Sequence, residues 1–339
     1  KEKELELKNS ELALKDAELN RKNAEVKQQE TQVKQQETQR NALIGGLVLV
    51  LALAFLLFNR YHVKQKANKQ LAKINMQLTD SIDYAQRIQS ALLTPLGRVR
   101  SLLPDSFILF KPKAVVSGDF YWVRQKGNKI LFAAADCTGH GVPGAFMSII
   151  GNNVLNQIIT LQHIITNPGL LLKMLSEEII DKLQQKKDTV EANKSQVSEG
   201  LAWEVKDGMD IALCILEKES LKLQFAGAHN PLYLIRNGEL TVTKGDKLFI
   251  GDTTDESKFT SHELQLQKGD CIYIFSDGFA DQKGGPDDKK FYYPPFQKLL
   301  LDNHKNTMEQ QLQILDKTIT GWIGKQEQID DILVFGVRI

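Results

Sequence analysis

Net charge is missing: 43 Lys and Arg stand against 42 Asp and Glu, a formal +1 over 339 residues. A nucleic-acid-binding face needs a basic surplus, so no nucleic-acid partner is expected. Cysteine is scarce. Cys137, Cys214 and Cys271 lie far apart, without metal-ligand spacing, in or beside apolar runs. That excludes a disulfide framework and a thiolate zinc site, and leaves small buried thiols in a reducing compartment. No arginine follows any of them at the sixth position; Pro143, Ser220 and Asp277 stand there instead. A phosphate-cradling cysteine nucleophile is therefore excluded. No Lys-Ser/Thr pair follows the glycine turn at Gly139–Gly141, so it is not a nucleotide loop. The first forty residues contain no aromatic side chain and little else that builds a core.

Those forty residues favour helix. VKQQETQ at Val26–Gln32 recurs at Val33–Gln39, and Leu5, Leu12, Leu19, Val26 and Val33 recur every seven positions. Three positions on stand Lys8, Lys15, Lys22, Gln29 and Gln36, so the second stripe of a seam is absent. Residues 1–40 read as a weak coiled-coil segment, or equally as a solvated helix or spacer. The chain begins at Lys1, which reads as a fragment of something longer. Ala42–Phe58 is seventeen residues without a polar side chain. At 1.5 Å per residue it spans roughly 26 Å, near the hydrocarbon thickness, with Arg40 and Arg60 placed to snorkel. It reads as a single-pass transmembrane helix. Arg60, Lys64, Lys66, Lys69 and Lys73 crowd its C-terminal side, which places the rest of the chain in the cytoplasm.

Residues 60–94 read as a linker, helical over 67–94. Leu71, Leu78, Ala85 and Leu92 form one row, with Ile74, Ser81 and Ile88 beside it. The row pairs two protomers in a homodimer, or packs the helix on its own domain. Residues 95–339 form a globular α+β domain. Strands are expected over 107–110, 120–123, 130–135, 211–216, 221–226, 232–235, 263–266, 271–275 and 332–339. Helices are expected over 143–163, 168–187 and 296–323, with a polar loop near 186–207.

Asp119, Asp136, Asp277 and the pair Asp330–Asp331 share one context, the end of an apolar strand beside a turn. One such Asp is ordinarily a cap. Four gathered at one edge would repel one another, and hard divalent cations with oxygen ligands relieve that repulsion. His140 and His229 lie in Gly- or Ala-flanked turns, where structural roles are common. His140 is the better proton-transfer candidate, because it shares the turn after Asp136.

SGDFYW, ADCTGHGVPGAFMS, AGAHNPLYLIRNGEL, KGDCIYIFSDGFADQ and DDILV occur in this order. Together they resemble the stage II sporulation protein E-type phosphatases, the bacterial branch of the metal-dependent type 2C serine/threonine protein phosphatases. The resemblance spans about residues 84–339. It implies an αββα sandwich with two Mn²⁺ or Mg²⁺ ions. It implies Asp119 and Asp136 at both ions, the backbone carbonyl of Cys137 as a further ligand, and Asp277 and Asp330 completing the second site. Asp331 is the fallback. The implied reaction is hydrolysis of phosphoserine or phosphothreonine by a metal-activated water, on a STAS-type anti-sigma antagonist. A non-catalytic dimeric signalling module on the same fold is the alternative.

Overall fold

The structure is a computed structural model and describes residues 2–161, 167–183, 207–251 and 258–339. The chain divides into two units, residues 1–78 and 79–339. The three helical stretches expected before Pro95 form a single element, α1 (Glu2–Leu92). No proline interrupts it, and Gly45 and Gly46 lie in the apolar run where their cost is tolerated. In the first unit the apolar side chains are exposed, Leu43 by 75% and Phe55 by 68%. An 18-residue window of mean hydropathy 2.6 has none of its residues buried. By length and composition the helix is able to cross a membrane.

The expected 67–94 seam divides along its length. Leu71, Ile74 and Leu78 are exposed, whereas Gln89 is buried and Leu93 packs against the core. The last turns of α1 thus belong to the globular unit. Pro95 then opens α2 (Leu96–Leu102).

In the second unit two five-stranded antiparallel sheets stack face to face. One has the order β1 (Ser106–Lys111), β12 (Ile332–Arg338), β9 (Cys271–Phe275), β6 (Leu232–Arg236), β7 (Glu239–Thr243). The other has the order β2 (Phe120–Lys126), β3 (Lys129–Cys137), β4 (Met209–Glu217), β5 (Lys222–Ala228), β8 (His262–Gln265). The strands alternate, so each sheet has two apolar faces. Phe132, Ala134, Ala212, Ile274 and Phe335 fill the space between the sheets, with Phe132 and Phe335 rings 5.5 Å apart. The outer face of the second sheet is covered by α3 (Gly141–Leu161) and α4 (Pro168–Lys182) over Leu131, Ala133 and Ile211. The outer face of the first sheet is covered by α6 (Tyr293–Asn303) and α7 (Met308–Ile323) over Tyr273 and Phe275. The unit is the αββα sandwich expected from the sequence.

Several boundaries differ. The single helix expected over 296–323 is two helices. The first ends at Asn303, and Thr307 starts the second through a reciprocal capping box with Gln310. Strand β7 and the short hairpin β10 (Lys283–Gly284) and β11 (Lys289–Lys290) were not expected, nor was the single turn α5 (Gly278–Asp281). The polar loop expected near 186–207 lies almost wholly outside the described residues.

Candidate active site

Register brings the acids together. Phe120 pairs with Ala135, so Asp119 comes beside Asp136 one residue earlier on β2's lead-in. Asp136 pairs directly with Asp210 at the start of β4. Ile211 pairs with Ala228, so His229 continues the row past Asp210. Alternation gives Asp136 and Asp210 the same face as Ala134 and Ala212, which line the space between the sheets. The row Asp119, Asp136, Asp210, His229 thus forms the rim of the inter-sheet core. Asp136 falls inside β3, one residue before its end, and not beyond it.

The facing sheet supplies the remaining acids. Asp277 follows β9 and precedes α5, and Asp330 and Asp331 precede β12. Ser276 joins the two sheets: its hydroxyl donates to Asp119 Oδ2 at 2.5 Å and accepts from the Leu333 amide at 3.0 Å. Asp331 is buried, and its carboxylate accepts the amides of Lys113 and Gly118, each at 2.7 Å. It holds the 113–118 loop in place. Asp330 is half-buried and accepts the Asp331 amide through Oδ1 at 2.8 Å. Asp330, not Asp331, acts electrostatically on both Asp136 and Asp277.

Glycine is required where the loops meet. A Cβ on Gly118 would lie 2.6 Å from the Gly139 carbonyl and 3.3 Å from that of Cys137. A side chain there would push apart the two loops that carry Asp119 and Asp136. Thr138 anchors the second loop to β4, its amide and hydroxyl bonding Gly208 at 3.0 Å in both directions.

The acids are held against their preference. Burial, then the Asp136 charge, raises the Asp119 carboxyl well above the ordinary range, against the Ser276 hydrogen bond. Burial, then Asp277, Asp330 and Asp210, lifts Asp136 to about 8. Burial, then Asp330, lifts Asp277 to about 6. The Asp136 charge acts on Asp119, and the Asp277 charge acts on Asp136. Among the described residues no group of three His, Cys, Asp or Glu side chains is arranged so that it could hold a metal ion. The donor set is nevertheless all oxygen and strongly self-repelling, the chemistry that hard divalent cations neutralise. On that ground the residues fit a divalent metal.

The remaining candidates separate. The Cys137 side chain is buried on the helix side of the sheet, and burial pushes its thiol well up, so it is no nucleophile. His140 is exposed and makes no hydrogen bond among the described residues. Sequence reasoning missed Asp210 and gave His229 only a structural role; the two are joined at 2.8 Å through Nδ1. The signal for Asp210 was present: it lies in the first residues of a strand antiparallel to the one whose last residues include Asp136, so start and end coincide in space.

The description "Stage II sporulation protein E (SpoIIE)" matches residues 126–339. The chain is 26% identical over 261 residues to the phosphoserine phosphatase RsbU of Bacillus subtilis (strain 168), covering 74% of this chain and 68% of that one. It is similar to the SiaA-PP2C domain of Pseudomonas aeruginosa, with 30% identity and a TM-score of 0.66 over 78% of this chain and 98% of that one. The PP2C phosphatase domain of Bacillus subtilis SpoIIE with a regulatory fragment shares the fold, with 20% identity and a TM-score of 0.52, over 69% of this chain and 63% of that one. With the sandwich and the acid rim in view, these likenesses place the chain in the SpoIIE-type family of PP2C serine/threonine phosphatases.

Proposed function

We propose that this enzyme is a metal-dependent phosphatase anchored in the cytoplasmic membrane, which removes phosphate from serine or threonine of a cytoplasmic regulatory protein, a STAS-type anti-sigma antagonist. The observation that carries the chemistry is the cluster of Asp119, Asp136, Asp277 and Asp330, in which burial and then neighbouring carboxylates raise Asp119, Asp136 and Asp277 above the ordinary carboxyl range. Two ions, Mn²⁺ or Mg²⁺, would be held by Asp119, Asp136, the Cys137 backbone carbonyl, Asp277 and Asp330. When bound, they would acidify a water molecule and neutralise phosphoryl charge.

The chain's own residues do the rest. Ser276 and the amide-bonded Asp331 hold Asp119 and the 113–118 loop rigid, so the acids meet the substrate already oriented. Division into 1–40, a membrane span at 42–58, a linker at 60–94 and a phosphatase domain at 95–339 is part of the proposal. The exposed apolar run supports the span, and the cations after it support a cytoplasmic domain. The exposed row Leu71, Ile74 and Leu78 supports homodimerisation through the linker.

The test uses the full chain in membrane vesicles with Mn²⁺ and a serine-phosphorylated STAS-domain protein. Loss of one phosphoryl group by mass is expected. Turnover of a phosphoserine peptide with the STAS protein untouched would overturn the substrate class. Turnover of neither would overturn the whole reading.

A further inference from the structure

His229 is held in a conformation that few side chains adopt. Its φ is +53°, in the left-handed region, where a non-glycine residue is strained unless its surroundings enforce it. The enforcement is visible. The His229 amide donates to the Asp246 carbonyl at 2.8 Å, the Asp246 amide to the Gly227 carbonyl at 2.8 Å, and the Asn230 amide to the Ala228 carbonyl at 2.6 Å. A Cβ on Gly245 would lie 2.8 Å from the Asn230 carbonyl, so the neighbouring segment is drawn tight against this turn.

The strain puts the imidazole on the acid rim. Nδ1 lies 2.8 Å from Asp210 Oδ1, and Asp210 pairs across the ladder with Asp136. Strands are spaced by about 4.8 Å, so His229 stands about 10 Å along the row from Asp136, beyond Asp210. The Asp246 carboxylate does not compete for the ring, because it accepts the Thr260 amide at 2.6 Å and hydroxyl at 2.9 Å. Nε2 has no partner among the described residues, and the side chain is 43% exposed. An exposed ion pair of this kind contributes little stability. A ring held through Nδ1 beside Asp210, with Nε2 left without a partner among the described residues, instead suits proton delivery to a bound substrate.

We propose that His229 is a catalytic proton donor to the leaving serine oxygen, with Asp210 as its positioning residue. The assignment rests on the phosphatase reading above. The oxygen of water forms a bond to phosphorus as the bond from phosphorus to the serine oxygen breaks. The bonding pair stays on the serine oxygen, which takes the proton from Nε2 of the protonated ring. Phosphate leaves with both water hydrogens and returns one to solvent, and the neutral imidazole takes a proton from solvent. Alkyl oxygen is a poor leaving group without that proton, whereas p-nitrophenolate departs without it.

The test compares the full chain and its His229→Asn variant, in Mn²⁺, on a phosphoserine peptide and on p-nitrophenyl phosphate. Asn tolerates positive φ, so the turn is preserved, and an unchanged melting temperature checks that. The variant should lose about 100-fold or more in kcat on the peptide, the usual contribution of a general acid. Turnover of p-nitrophenyl phosphate should stay nearly unchanged. Asp210→Ala should show a smaller loss with the same bias toward the peptide, together with loss of the hydrogen-bonded Nδ1–H resonance in the NMR spectrum. Equal losses on both substrates, or no loss on either, would overturn the proposal. A wild-type chain inactive on both would overturn the phosphatase reading itself, and this proposal with it.

Discussion

Replacing Asp136 by Asn should stabilise the metal-free protein, and the gain should depend on pH in a set direction. Asp136 is lifted from 3.8 to about 8 by burial and by Asp277, Asp330 and Asp210. Its folded value is raised, so between about pH 4 and 8 the folded chain binds more protons than the unfolded one. Stability therefore falls as pH rises through that window, and the loss is complete above about 8. One pKa unit corresponds to about 1.4 kcal/mol, so a shift of about four units sets a ceiling of about 5–6 kcal/mol. Asp136 is half-buried and its titration depends on neighbouring carboxylates, so a realised gain of about 1–3 kcal/mol is expected. For a unit of this size that is about 3–10 °C in melting temperature. The assay is thermal unfolding of wild type and Asp136→Asn in EDTA at pH 4.5 and pH 8. The variant should melt higher at pH 8, and the difference should shrink at pH 4.5. A variant less stable at pH 8, or a gain independent of pH, would refute the charge-repulsion argument.

The two neighbouring acids before β12 should fail differently. Asp331→Asn places an amide NH₂ against one of two buried backbone donors, and should cost about 1–3 kcal/mol by chemical denaturation. Asp330→Asn should leave stability near wild type and raise the Mn²⁺ concentration needed for half-maximal turnover. The linker should transmit through Gln89, whose amide donates to the Ser117 carbonyl at 2.6 Å and accepts the Ser117 amide at 3.1 Å, two residues from Asp119. Seven residues inserted after Lys73 keep the exposed row in register, and basal phosphatase rate in membranes should match the parent. Four residues shift the row by about 40° and should lock that rate high or low. Equal rates for both insertions and the parent would make the linker a passive tether.

Local pattern made much of this legible. Strand alternation around Phe132–Ala135 and the helical spacing after Pro143 are local, so the layers followed from sequence. Asp119, Asp136 and Asp277 were visible because each adjoins a glycine turn at an apolar run. The different surroundings of Asp330 and Asp331 were not visible. Asp331 accepts the amides of Lys113 and Gly118, more than two hundred residues away in sequence, and no local rule reports that. Asp210 was missed because the strand was read as opening at Ile211, one residue too late. His140 drew attention by adjacency in sequence, whereas His229 reaches the rim by adjacency across the ladder. Strand β7, ELTVT, is short, half polar and largely exposed, so its periodicity carried little signal. The break between α6 and α7 was readable in the Thr307 to Gln310 spacing, but the apolar periodicity on either side masked it.

The claim at the centre is that the clustered carboxylates make this chain a metal-dependent phosphatase. The direct measurement is phosphate release from a phosphoserine peptide by metal-free full-length chain as Mn²⁺ is added, for wild type, Asp136→Asn and Asp277→Asn in parallel. Wild type should be inactive in EDTA and reach full turnover at millimolar or lower Mn²⁺, while both variants stay folded and inactive throughout. Phosphate release by wild type undiminished in EDTA, or full turnover by folded Asp136→Asn, would contradict it.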